Sequence, residues 1–346
     1  MSSADSNTSK RPGTSFPGLS SDFSARIDTA SCVLDLPENA FRDYGPRSRA
    51  GAAYCALVFA VTGTGILLAQ SSYWLVWLFS QVLLAVGFLQ WFVVLHEAGH
   101  YTLFQSKRAN TITGHIRGFF AHIPFQSWRY IHSRHHRWTG WQDMDATTAS
   151  LVPRPLSRLE RGLLRFAWAT HIPFVSVVYR VSNYWNIWRI KYYVSQSQQH
   201  RINYGCLQLA AAYGATIAVC GIGPIWSTVG LSLVLSFMVQ DILLLSQHTH
   251  IPQHISEGEK VRPFLPSEQA VFTRSLRFPA WFSALILHFD AHELHHRYVH
   301  VPGYDLAKLP VLAENEVDWW TWLREAKKLS GDTLLFQNSD ETGFEW

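Results

Sequence analysis

Ten of the 17 histidines in this 346-residue chain fall in four short clusters, and their spacing suits metal binding. The first reads His96-Glu97-Ala98-Gly99-His100 and the second His132-Ser133-Arg134-His135-His136. The third is Gln247-His248-Thr249-His250 and the fourth His292-Glu293-Leu294-His295-His296. On a helix, positions i, i+3 and i+4 project from one side. Each cluster is therefore expected to aim two or three imidazoles at one locus. Imidazole is a ligand for Zn, Cu, Fe and Ni. One cluster has too few nitrogens for two ions, but the four together have enough.

Residues so far apart in sequence need a scaffold to gather them, and the hydropathy pattern supplies one. Four apolar segments run from about Gly51 to Ala69, Tyr73 to Leu95, Tyr204 to Ile222 and Pro224 to Ser246. Each is close to the ~20 residues that a membrane-spanning helix needs. The links Gln70-Ser71-Ser72 and Gly223 are so short that the segments must form two tight antiparallel hairpins. Six Lys and Arg precede the first segment, 14 lie between the second and third, and nine follow the fourth, which accounts for all 29. The positive-inside rule then places the N-terminus, the central loop and the C-terminus in the cytoplasm. All ten clustered histidines land on that same side, although the orientation was derived without them.

The composition agrees. The chain is 48% hydrophobic and only 16% charged, against about 25% charged in soluble domains. Its 15 Trp, 13 Tyr and 21 Phe suit membrane interfaces. The net charge of +4 is spread over the loops without a basic stripe, which argues against nucleic acid as a partner. Two shorter apolar stretches, Leu163–Tyr179 and Phe278–Phe289, are expected to lie as helices at the membrane surface. Asp241 sits inside the fourth segment, two helical turns before His248. It either meets a polar partner there or reaches the interface from a tilted helix. Cys32, Cys55, Cys206 and Cys220 form no C-x-x-C and read as small apolar residues. Residues 1–24, rich in Ser, Thr, Pro and Gly, lack the apolar core of a secretory signal and read as a disordered tail. The division expected is a cytoplasmic N-terminal tail over 1–49, a membrane domain over 50–310 and a cytoplasmic C-terminal tail over 311–346.

At the histidine clusters the chain resembles the membrane fatty acid desaturases and their hydroxylase and acetylenase relatives. HEAGH at 96–100, HSRHH at 132–136 and HELHH at 292–296 match that family's three histidine boxes. The stretch from HEAGH through SWRYIHSRHHRWTG, and QHTHIP after the fourth segment, look like the acyl-lipid desaturases that act toward the methyl end of a chain. The resemblance implies an all-α integral-membrane fold, with four transmembrane helices in two hairpins and a helical cytoplasmic cap carrying a di-metal site. It implies two non-haem irons, O2 as co-substrate and a long acyl chain, lipid-bound or carrier-bound, as substrate. His96, His100, His132, His135, His136, His292, His295 and His296 match the box ligands. A further ligand after the fourth span is His248 or His250, with His248 favoured. Glu97, Asp145 and Asp290 would orient ring N–H groups, with Asp241 as a further acidic residue of the surroundings. HELHH carries Glu293 where many relatives have an apolar residue, and GWQDMDATT departs from the usual exit of the second box. There is no heme-binding H-P-G-G, so an external electron donor is implied, such as an acidic ferredoxin-like protein docking on the basic loops.

Other readings use the same residues. A hydroxylase, acetylenase or carotenoid ketolase would share the site. HEAGH is also literally H-E-x-x-H, the zinc-and-base motif of a metalloprotease, but that reading leaves eight clustered histidines without a task. A metal carrier would need polar residues in several spans, and only Asp241 qualifies.

Overall fold

The computed structural model describes residues 44–346. The tail expected over 1–24, and most of that expected over 1–49, lies outside the described residues, as does Cys32. The first long helices are α1 (Ser48–Leu68) and α2 (Trp74–His100). Then come α3 (Lys107–Ala121), α4 (Phe125–Trp138), α5 (Arg158–Ala169), α6 (Phe174–Arg180) and the single turn α7 (Ile187–Ile190). Two further long helices follow, α8 (Gln196–Cys220) and α9 (Ile222–His248). The C-terminal part holds β1 (Ser275–Arg277), α10 (Ala280–Leu285), α11 (His292–Arg297) and α12 (Gly303–Leu306). It ends with β2 (Glu316–Asp318), α13 (Trp319–Ala326), α14 (Gly331–Phe336) and α15 (Ser339–Thr342). Among the described residues the regular structure is helical apart from β1 and β2, which pair in parallel.

The lengths of α2 and α9 position the chemistry. Each has 27 residues, or about 40 Å at 1.5 Å per residue. The hydrocarbon core of a bilayer is only about 30 Å thick. Both helices are longer than that, and both end on cluster residues: α2 on His96 and His100, α9 on His248. They pack along each other and are tied by Gln81, which donates to the Thr228 carbonyl at 2.9 Å and accepts from the Ser232 amide at 3.1 Å. α1 joins through Trp91, whose indole donates to Thr62 at 2.9 Å. Gly87 permits that approach, because a Cβ there would stand 2.8 Å from the Thr62 hydroxyl.

Three of the expected spans are helices long and apolar enough to cross a membrane: α1, α2 and α9. The remaining one, α8, has the length but not the apolarity. Asn203 and Gln208 interrupt it, and many of its other residues are Ala or Gly. The break before α9 falls at Gly221, in positive φ (77°), rather than at Gly223. α9 then packs on α2 more than on α8, so the second pair is splayed rather than a tight hairpin.

The C-terminal stretch is a folded unit rather than a tail. Trp322, fully buried, packs with Leu276, Leu323, Leu334 and Leu335. α14 lies on α5, where Arg165 donates to both carboxylate oxygens of Asp332 at 2.8 and 3.0 Å. α5 and α6 fill the stretch expected at the membrane surface, broken at His171 to Pro173. They expose Leu159, Leu163, Phe166, Phe174 and Val177. α10 fills the second such stretch and exposes Trp281. Apolar faces of this kind suit an interface.

Candidate metal centre

Eight of the clustered histidines form two groups of ring nitrogens. His96, His100, His132 and His295 offer atoms all within 4.8 Å of one another, and so do His135, His248, His292 and His296. The first group draws on α2, α4 and α11, the second on α4, α9 and α11. Thus α4 and α11 serve both. His136 stands beside the first group, its Nε2 3.1 Å from Nε2 of both His132 and His295.

The expectation that each cluster aims at one locus needs correction. At 100° per residue, i+4 falls 40° to one side of i and i+3 falls 60° to the other. The i, i+4 pairs stay together: His96 with His100, His132 with His136, and His292 with His296. The i+3 member crosses over. His135 leaves its neighbours for the second group, and His295 leaves its neighbours for the first. One short helix can therefore feed two ions.

The donor set fits metal. Nε2 of His96, His100 and His296 is buried without a hydrogen-bond partner, as is Nδ1 of His136 and of His292. A buried ring nitrogen left unpaired costs free energy unless something binds it. In α4 and α11, burial first and neighbouring imidazoles second push His132, His136, His292, His295 and His296 well below the ordinary histidine value. These rings are neutral at pH 7 and carry a free lone pair. No carboxylate belongs to either group.

The outer ring nitrogens meet acceptors. Asp145 takes His135 Nδ1 at 2.7 Å, with Thr147 Oγ1 3.0 Å from the same nitrogen. Glu97 lies 3.3 Å from His96 Nδ1 and accepts from the Thr102 hydroxyl at 2.7 Å and the Gly303 amide at 3.0 Å. It thus meets the His96 ring at Nδ1, the nitrogen opposite the unpartnered Nε2. The Phe272 carbonyl lies 3.2 Å from His248 Nδ1, and Gln269 Oε1 lies 2.9 Å from His296 Nδ1. Gln269, Thr147 and Phe272 carried no signal in the sequence. A lone amide, hydroxyl or backbone carbonyl far from its partner leaves no spacing to read.

Three expected residues, and the unusual Glu293, sit elsewhere. His250 belongs to neither group: its Nδ1 is 3.1 Å from the Gln337 carbonyl and its Nε2 2.9 Å from the Thr342 hydroxyl. Asp241 accepts the Ser176 amide at 2.6 Å, which pins the start of α6 to α9. Asp290 accepts from the Ser283 hydroxyl, and burial pushes its carboxyl up to about 6. Glu293 turns outward from α11 and accepts the Glu314 and Asn315 amides at 2.8 and 2.6 Å. The acid that departs from the usual box thus fastens α11 to the strand region of the C-terminal unit.

An apolar cavity of about 350 Å³ meets the nitrogen groups, touching His96, His132, His135, His248 and His292. Phe92, Trp128, Leu163, Phe174, Leu244 and Leu335 are among its walls. Its largely apolar walls suit an apolar group.

Comparison with known proteins gives one family. The model described as fatty acid desaturase matches residues 72–319. The chain is 26% identical over 289 residues to an sn-1 oleoyl-lipid 12-desaturase of Picosynechococcus sp., covering 78% of this chain and 77% of that protein. It is 24% identical over 225 residues to the chloroplastic omega-6 fatty acid desaturase of Arabidopsis thaliana, covering 62% of this chain and 48% of that protein. Over 84 residues it is 37% identical to an sn-1 acyl-lipid omega-3 desaturase (ferredoxin) of Nostoc sp., 23% of each chain.

Proposed function

Because the chain belongs to the fatty acid desaturase family and is an oxidoreductase of that kind, we propose that it introduces a double bond into a long lipid-bound acyl chain. The observation that carries this reading is the pair of all-nitrogen groups at an apolar cavity. Two non-haem irons fit these groups. His96, His100, His132, His136 and His295 would hold one, and His135, His248, His292 and His296 the other. When bound, iron supplies the O2 activation and hydrogen removal that protein side chains cannot. The overall reaction balances when two hydrogens from the chain, with two electrons and two protons from outside, reduce O2 to two waters.

The chain's own residues do the rest. Asp145 and Glu97 hold His135 and His96 by their outer nitrogens and so aim the inner ones. Phe92, Trp128 and Leu244 line the cavity and hold the acyl chain in one place, which fixes the carbons that react. The electrons would come from an external donor. The name of the Nostoc relative includes ferredoxin, and the basic loops suit an acidic protein of that type. In this reading α8 is a fourth span, and the termini and the site are cytoplasmic.

A hydroxylase, acetylenase or carotenoid ketolase would use the same nitrogens, and the cavity's apolar walls favour an acyl chain. Expression in a host of defined lipid content, followed by mass spectrometry of its fatty acids, tests the proposal. The expected result is an O2- and reductant-dependent loss of two hydrogens at one position. Gain of an oxygen instead would move the assignment to a hydroxylase, and unchanged lipids would contradict it.

A further inference from the structure

We infer that Gln269 is a positioning residue: it fixes which ring nitrogen of His296 faces the second group, and so governs metal binding there. The inference rests on the di-metal reading above. Gln269 is 1% exposed and joins two short turns, Pro266–Glu268 and Ala270–Phe272. Its side-chain amide reaches in two directions. Nε2 lies 2.8 Å from the carbonyl oxygen of His136, 133 positions earlier, and 3.3 Å from that of Phe264. Oε1 lies 2.9 Å from His296 Nδ1.

These contacts decide the tautomer. A backbone carbonyl only accepts, so the amide nitrogen of Gln269 must face His136 and Phe264. Its oxygen is then the atom facing His296. An amide oxygen also only accepts, so Nδ1 of His296 must carry the ring hydrogen. Nε2 is left as a bare lone pair, and Nε2 is the buried nitrogen without a hydrogen-bond partner. A flipped amide would set oxygen against two carbonyl oxygens and –NH2 against Nδ1. The ring hydrogen would then move to Nε2 and block it as a ligand. The same segment acts once more through its backbone. The Phe272 carbonyl faces His248 Nδ1 at 3.2 Å, which leaves His248 Nε2 free, 2.7 Å from His292 Nε2. Segment 266–272 therefore orients two of the four rings in the second group, and Gln269 also ties it to the end of α4.

The test is anaerobic titration of ferrous iron into metal-free, full-length protein in lipid nanodiscs, with Mössbauer spectra of the loaded samples. Wild type, Gln269→Leu and Gln269→Glu are compared. Leucine removes the acceptor, so one of the two irons should bind roughly 10–100-fold more weakly. Glutamate, protonated on the oxygen that faces the His136 carbonyl, keeps the acceptor toward His296 and a donor toward His136. It should retain both irons, with an altered doublet for one of them, because an acid carbonyl accepts less strongly than the amide it replaces and leaves the ring a weaker donor. Full-affinity loading of both irons by Gln269→Leu would overturn the inference, as would an equal loss in Gln269→Glu. Should the leucine variant fail to fold, the glutamate variant decides: a changed doublet supports the inference and an unchanged one overturns it. Failure of wild type to take up iron would instead overturn the functional reading.

Discussion

At the end of α9 the chain leaves the helix at Thr249 and turns through His250 with positive φ (58°). The two imidazoles therefore diverge, one toward the second nitrogen group and one toward Gln337 and Thr342. Spacing alone left both as candidates, because a two-residue separation has no meaning until it is known where the helix stops. His248→Ala should empty the second group, whereas His250→Ala should leave metal content unchanged and cost about 1 kcal/mol of stability for its lost hydrogen bonds. Metal analysis and a melting curve on each variant check this pair. Gly99 makes a second case. A Cβ there would stand 1.9 Å from the Trp128 ring, which stacks on His132 at 4.2 Å. Gly99→Ala should cost about 1–3 kcal/mol and displace His132. A drop in both stability and metal content is the expected result, and a wild-type melt would contradict it. The histidines of the two nitrogen groups were legible because their periodicity is helical. The residues behind them were less so. Glu97 lay inside a box and Asp145 lay nearby, while Gln269 acts across 27 positions on His296.

The elements explain how few turns suffice. α11 has six residues, all buried, yet feeds both groups because i+3 and i+4 fall on opposite sides of i. The boxes give this spacing away in sequence, but the division into two nitrogen groups emerges only once α4 and α11 face each other. The α5–α14 contact beside the cavity was illegible, since nothing local marks Asp332 as the partner of Arg165. Burial raises the Asp332 carboxyl, but hydrogen bonds from Arg165 and Ser330 outweigh it and hold it at about 2, below its ordinary 3.8. A depressed folded value means that this contact contributes fully above about pH 4 and fades as pH falls toward 2. Arg165 is half exposed, so solvent screens the pair and its contribution is small. Asp332→Asn should lower hydrogen-exchange protection in 331–336 at pH 6 and remove the pH dependence of that protection between 4 and 2. Equal exchange in variant and wild type would contradict the lock.

For the whole molecule, hydropathy and the Lys/Arg distribution foretold a membrane anchor with its histidines at one end. Long apolar runs and basic loops are read without knowing any contact. α1, α2 and α9 answer to that anchor, while α8 is too rich in Ala, Gly and amides to match them. The folded C-terminal unit escaped notice because its core comes from separate segments, with Leu276 meeting Trp322 and Leu334. In the proposed topology a cysteine introduced at Ser71 should react with an impermeant reagent from the face opposite to one introduced at Glu259. Labelling of both from one face would contradict it. The central claim is that two irons are held by nine imidazoles, and its most direct test is elemental analysis of the purified protein alongside the His135→Ala and His296→Ala variants. The account predicts two irons per chain in wild type, with lower iron content and no activity in either variant. A single zinc in wild type, or two irons and full activity in both variants, would contradict it.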